Sequence, residues 1–196
     1  TSNDGADVLT CCHVLWGHDT PISSVAVNSD LGVSASGDLS GRICVHTLRR
    51  GDFVRFFIPP QLDSGKTGCQ VSLLALHSTG SLAVHMQDGG LHMYTINGVR
   101  LCSVDSTDTL HDMKFTTDGE LLMTGGDLCQ VLIRSVKDLR TVSSLDLGRH
   151  GPVRCITLTP PELNPIAQYI FIGSDDGMVT VVDEDPTAEN GNAVDL

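Results

Sequence analysis

No stretch of the 196-residue chain approaches the roughly 20 consecutive apolar residues that a membrane-spanning helix needs. The opening TSNDGADV has neither the basic nor the apolar region of a secretory signal, and it lacks an initiator methionine, so a cut through a longer protein is expected. Basic residues are also scarce. Twelve Lys and Arg stand against 24 Asp and Glu, a formal net charge of −12, which repels nucleic-acid phosphates unless the cations gather on one face; no nucleic-acid partner is expected. The seven cysteines, Cys11, Cys12, Cys44, Cys69, Cys102, Cys129 and Cys155, are odd in number and show no CxxC spacing, which speaks against a disulfide framework or a zinc site. They are expected to be reduced, half-buried small hydrophobes of a cytosolic chain. G-x-S-x-G elbows, Walker loops and H-E-x-x-H helices are missing, and with them the common signatures of hydrolases and nucleotide binders. Helical patterning is almost lacking too: the best candidate, Pro161 to Gln168, is interrupted by Pro165.

What is present is a β pattern. Hydrophobic residues make up 40 % and charged residues 18 %, with 20 glycines, the balance of a folded, turn-rich chain. An apolar triplet spaced i, i+3, i+5 recurs four times, as Ile22/Val25/Val27, Val71/Leu74/Leu76, Leu110/Met113/Phe115 and Val153/Ile156/Leu158. Turns follow at NSDLG, HSTG, TTDG and the longer TPPELNPIAQ, then second strands at VSASG, SLAVHM, LLMTGG and YIFIGS. A second tight turn centres on Gly41, Gly89, Cys129 and Gly177, so successive repeats are offset by 48, 40 and 48 residues, near the ~40–45 of a four-stranded propeller blade. Third strands alternate in period two at RICVH, GLHMY, QVLIR and MVTVV, which buries one face. Outer strands DFVRFF, VRLCSV and LRTVSSL complete three repeats; the fourth has none, and CCHVLW ahead of the first triplet reads as an unattached outer strand.

The expected fold is therefore an all-β propeller. Residues 1–12 read as a leader, 13–183 as a partial propeller with repeats at about 17–57, 68–104, 108–147 and 149–183, and 184–196 as an acidic disordered tail. Propellers have about four to eight blades and protect their strand edges by closing, so four repeats with one incomplete blade are expected to be the C-terminal part of a ring of about seven. In isolation such a piece exposes sheet edges and is expected to be marginal or aggregation-prone.

The chain resembles the WD-repeat family over nearly all its length. Gly17-His18 and, more weakly, Arg149-His150 match the dipeptide that opens a repeat; Asp88-Gly89 and Asp176-Gly177 match its Asp-Gly turn. The resemblance implies a buried hydrogen-bonded brace in each blade, made of a His, a Ser or Thr, the turn Asp and a strand Trp. No blade keeps the full set. In blade one His18 is kept, with Ser40 at the aspartate position and His46 at the tryptophan position. Blade four keeps His150 and Asp176 with Val182, while Tyr94 and Arg134 take the tryptophan position in blades two and three. A narrower likeness, carried by GDLSGRICVHT, MYTINGVRL and TTDGELLMTGGD, is to the C-terminal propeller of BEACH-domain proteins, neurobeachin and its relatives, in which His-Thr at the place of Trp-Asp is typical. That likeness implies a non-enzymatic protein-interaction scaffold without cofactors, next to a BEACH domain, in a large cytoplasmic protein acting peripherally at intracellular membranes in vesicle traffic. A substrate-receptor or adaptor propeller, as in a ubiquitin-ligase complex, shares all these features and stays open as the alternative.

Candidate chemistry elsewhere is weak. Cys11-Cys12-His13 offers adjacent soft ligands without separated partners. His85-Met86 and His92-Met93 flank the QDGG turn like copper ligands, but strand alternation sends neighbours to opposite faces. The paired Asp175-Asp176 is accounted for by a hairpin turn. Arg49, Arg50 and Arg55 stand out in so acidic a chain: they are the candidate partner-binding residues, able to fork onto an acidic segment or lipid headgroup, although such runs are more often solvated turns. No residue is assigned a catalytic, cofactor or metal role.

Overall fold

A computed structural model describes residues 10–59, 69–148, 150–159 and 169–183. The leader up to residue 9, the Pro161 to Gln168 turn, Arg149 and the acidic tail after residue 183 lie outside the described residues. Among the described residues, fifteen antiparallel strands form four sheets. Blade one holds β1 (Ile22–Asn28), β2 (Val33–Asp38), β3 (Ile43–Thr47) and β4 (Phe53–Phe57). Blade two holds β5 (Val71–Leu76), β6 (Ser81–Met86), β7 (Gly90–Thr95) and β8 (Arg100–Asp105). Blade three holds β9 (Leu110–Phe115), β10 (Leu121–Gly126), β11 (Gln130–Ser135) and β12 (Thr141–Asp146). Blade four holds β13 (Val153–Leu158), β14 (Tyr169–Ser174) and β15 (Val179–Asp183). Strand order is sequential in every sheet. The turns between second and third strands use positive φ at Gly41, Gly89 and Gly177; blade three forces the same conformation on Cys129 (φ 56°), a strain of roughly 1–2 kcal/mol for a residue with a Cβ.

One irregularity explains the i, i+3, i+5 triplet. Strict alternation would send i and i+3 to opposite faces. In all four blades, however, the first strand bulges immediately after the first triplet residue: the register slips between Ile22 and Ser24, between Val71 and Leu73, opposite Gly125/Gly126 in blade three, and between Val153 and Cys155. The extra residue in each bulge returns i+3 to the face of i, and i+5 follows by alternation. All three apolar side chains then project together towards the preceding blade. Val71, Leu110, Met113, Val153 and Ile156 are buried there, in three successive inter-blade cores.

Blade one has no preceding blade among the described residues, and its triplet is bare: Ile22, Val25 and Val27 are 53 %, 64 % and 61 % exposed. Contacts between first strands run β1 to β5, β5 to β9 and β9 to β13, with none of comparable extent from β13 back to β1. The four blades form an open arc.

The junctions share a design. Gly37 on β2 and Gly125 on β10 leave room for the next blade: a Cβ on Gly37 would stand 2.5 Å from Val71 Cγ1, and one on Gly125 would likewise run into Val153. Ser24 Oγ accepts from Leu74 N (3.0 Å) and Asp112 Oδ2 from Ile156 N (2.8 Å), so the side chain at i+2 satisfies an N–H of the following blade. Blade two departs at both places. It has His85 where the others have Gly37, Gly125 and Gly173, and Leu73 where the others have Ser24 and Asp112; Met113 N bonds Asp112 Oδ1 instead.

The expected outer strand CCHVLW is corrected. Residues 10–18 form no strand but lie against blade one, where His13 Nε2 bonds the carbonyl of Arg49 (3.3 Å) and Gly17 packs on Cys44 and Phe53. Their polar groups meet side chains and scattered carbonyls, which cannot support a ladder.

Candidate functional site

The bracing residues are set by the loop before each first strand and the turn after each second. In blade one His18 Nδ1 donates to Asp38 Oδ2 (2.7 Å), and His18 Nε2 lies 2.8 Å from Ser36 Oγ. Asp38 is completely buried; its Oδ1 accepts from Ser40 Oγ (2.7 Å), Ser40 N (2.9 Å) and Arg42 N (3.0 Å). Burial pushes this carboxyl up, yet the bonds from Ser40, His18 and Arg42 outweigh it and hold Asp38 below its ordinary range. The carboxylate thus comes from Asp38, two residues before Ser40, and Ser40 serves as its donor. In blade four the turn is SDDG instead of DLSG, and Asp176 Oδ2 itself takes the His150 Nδ1 bond (2.8 Å). His150 is the first cause of that carboxyl's lowering.

Tyr94, Arg134 and Val182 face the preceding blade, and His46 holds the equivalent place in blade one, covered by residues 10–18. His46 is buried, donates from Nε2 to the Trp16 carbonyl (2.8 Å) and meets the Phe53 ring edge-on at 5.5 Å. Tyr94 stacks at a tilt on Phe57 of blade one (4.9 Å), and burial raises its phenol. Arg134 is buried with Nη1 on the Leu139 carbonyl (3.1 Å), and burial depresses its guanidinium. Val182 packs at the rim of the core between blades three and four.

The three arginines do not act as one patch. Arg55 is engaged between blades, donating to the Asn97 carbonyl of the next hairpin (2.6 Å). Arg49 and Arg50 are exposed on the turn joining β3 to β4. Register divides the histidine-methionine quartet as well: His85 pairs with Leu91 and joins the side of Met93, facing blade three, whereas His92 pairs with Val84 and joins the side of Met86, facing blade one. Cys11 and Cys12 are exposed and bond only nearby carbonyls, of His13 and Thr10.

Sequence reasoning missed a charge chain across blades three and four. Asp127 Oδ1 lies 2.7 Å from His111 Nε2, which is 2.8 Å from Arg154 Nη1; Arg154 in turn forks onto Asp175 (2.9 and 3.1 Å). Its signal was thin: His111 and Arg154 each follow the first triplet residue, where the bulge turns them to the surface. What this ensemble offers is a stiff frame with most of its imidazoles and buried charges engaged internally.

Comparison with known proteins agrees with this geometry. Residues 3–186 match the model of the neurobeachin beta propeller domain. The chain is similar to BEACH domain-containing protein B of Arabidopsis thaliana, 31 % identical over 170 residues, and to BEACH domain-containing protein lvsE of Dictyostelium discoideum, 24 % identical over 182 residues; each alignment covers 86 % of the chain. It spans only 6 % and 8 % of those two proteins. Among solved structures it is similar to the computationally designed Ika4 protein (TM-score 0.65, 18 % identity, 86 % of this chain and 94 % of that one). BamB from Moraxella catarrhalis is similar too (TM-score 0.67, 13 % identity, 92 % and 55 %). These two likenesses concern the fold alone.

Proposed function

From a chain that belongs to the neurobeachin beta propeller family, we propose a non-enzymatic docking platform, part of a large cytoplasmic scaffold that works beside a BEACH domain at intracellular membranes in vesicle traffic. The observation that carries the reading is the family match, together with relatives named for a BEACH domain that are many times longer than this chain. Its physical support is the frame itself: His18, His46, His150, Asp38 and Asp176 are taken up in bracing bonds, which leaves loops on rigid blades as the surfaces for partners. Arg49 and Arg50, solvent-exposed against a net charge of −12, offer the first contact for an acidic partner segment.

The test is affinity capture with the full parent protein, wild type and with Arg49→Glu/Arg50→Glu. Recovery of membrane-trafficking proteins, weakened by the double substitution, is the expected result. Recovery of ubiquitin-ligase subunits in their place would overturn the trafficking assignment, and capture indifferent to both charges would remove the arginines from it. A divalent-metal titration that released heat would reopen a catalytic reading.

A further inference from the structure

The junction between blades two and three differs from its neighbours in a way that makes a site. At the other two junctions a glycine on the second strand lets the first residue of the next triplet come close. At this one the position is His85, and a cleft of about 240 Å³ opens, lined by His85, Asp88, Asp108, Ser72, Ser106 and Thr109 among others. Its rim is fixed on the blade-two side, where Ser106 N donates to the Gly89 carbonyl (2.8 Å) and extends the β7–β8 ladder.

Two features of the lining point to a ligand. His85 is 3 % exposed, and neither of its ring nitrogens has a hydrogen-bond partner. A buried polar group left in this state costs roughly 1–3 kcal/mol, and native proteins rarely carry one without a reason. Burial holds this imidazole down to about 4, against the pull of Asp88, so at neutral pH it is uncharged and one nitrogen can only accept. The second feature is charge. The charged side chains in the lining are both acidic. Asp88 braces its own turn through Gly90 N (3.1 Å), and Asp108, 6 % exposed, accepts from Leu128 N (3.1 Å). Burial raises Asp108 despite the backbone bonds, so its charged form gains from an incoming cation. Arg134, which feels the Asp108 charge, is held by the Leu139 carbonyl.

We propose that this cleft between blades two and three receives an arginine side chain from a partner polypeptide, its guanidinium between Asp88 and Asp108 with an N–H donated to His85. Five fixed donors and a permanent charge suit an acceptor-rich, acidic slot better than a neutral or anionic group does. The proposal rests on the docking-platform reading and adds to it one occupant of stated chemistry.

The test uses the chain labelled at its histidine rings and titrated with N-acetyl-arginine amide, followed by nuclear magnetic resonance. Saturable shifts of the His85 ring are expected. N-acetyl-citrulline amide, the neutral isostere, should give none, and Asp88→Asn/Asp108→Asn should weaken the arginine response at least about tenfold, the scale of one charge-assisted contact. Asp88→Asn alone keeps the acceptor for Gly90 N and therefore the turn, so a smaller loss in this variant guards against misreading a folding defect. Equal shifts with citrulline, no saturation, or indifference to both aspartates would each overturn the proposal. Those outcomes leave the platform reading standing, because it is decided by capture with the full parent and not by this cleft.

Discussion

Replacing Val25 by alanine and, separately, Val71 by alanine removes the same atoms from the same kind of triplet, yet the two substitutions should differ sharply. Val71 is fully buried, with its methyls set in the space left by Gly37. Losing two methylene equivalents costs about 1.6 kcal/mol in transfer free energy, and the void left behind adds about another 1, for a total of about 2–3 kcal/mol. Val25 is 64 % exposed because blade one has no predecessor among the described residues, so its truncation should stay within about 0.5 kcal/mol. Urea unfolding at neutral pH, followed by far-ultraviolet circular dichroism at low micromolar chain, reads the contrast as a midpoint about 1 M lower for Val71→Ala and nearly unchanged for Val25→Ala. Sedimentation in parallel confirms a monomer. Equal losses would refute the reasoning, since they would mean that the first triplet is covered in solution and the arc is closed.

Three further outcomes follow from the same structure. Asp38→Ala strips four donors of their acceptor in a fully buried place and should cost about 3–5 kcal/mol, read by the same unfolding assay; because the folded Asp38 titrates below its ordinary range, its contribution is present above about pH 4 and fades as pH falls further. His85 titrates at about 4 when folded and near 6.5 when unfolded, so its linkage leaves stability complete above about pH 6.5 and removes about 3 kcal/mol between there and pH 4; His85→Leu should flatten most of that slope, with the remainder assigned to His92, which burial also lowers. Concentrated chain should self-associate through the bare triplet, with Val25→Lys/Val27→Lys suppressing it in sedimentation velocity, whereas a monodisperse, cooperatively melting wild type at high concentration would contradict this.

The sequence made the strands legible because their boundaries are written in turn residues: Gly41, Gly89 and Gly177 fall where positive φ is required, and the alternation between them has one dominant period. The triplet spacing was visible, but its cause was not, since a bulge exists only between two paired strands. The brace was assigned to Ser40 by aligning on Gly41; which side chain reaches His18 depends on how the DLSG turn folds, and two residues of displacement carried the carboxylate to Asp38. CCHVLW looked like a strand because its apolar residues outnumber its polar ones, while its route was decided by what blade one had to cover: Cys44 and His46 are buried on the face it crosses. The cleft at His85 was hidden for a different reason. Its meaning lies in comparison with Gly37 and Gly125, and only superposed blades reveal that the three occupy one place.

Each wall between blades is built half from a second strand, notched by glycine except where His85 stands, and half from the bulged first strand of its successor. A viable change in chain length should therefore come as a whole module of some forty residues, cut notch to notch, because a break inside a module leaves a ridge with no groove to receive it. Gene rearrangements that add or remove units, and laboratory truncations that aim for soluble pieces, face the same rule.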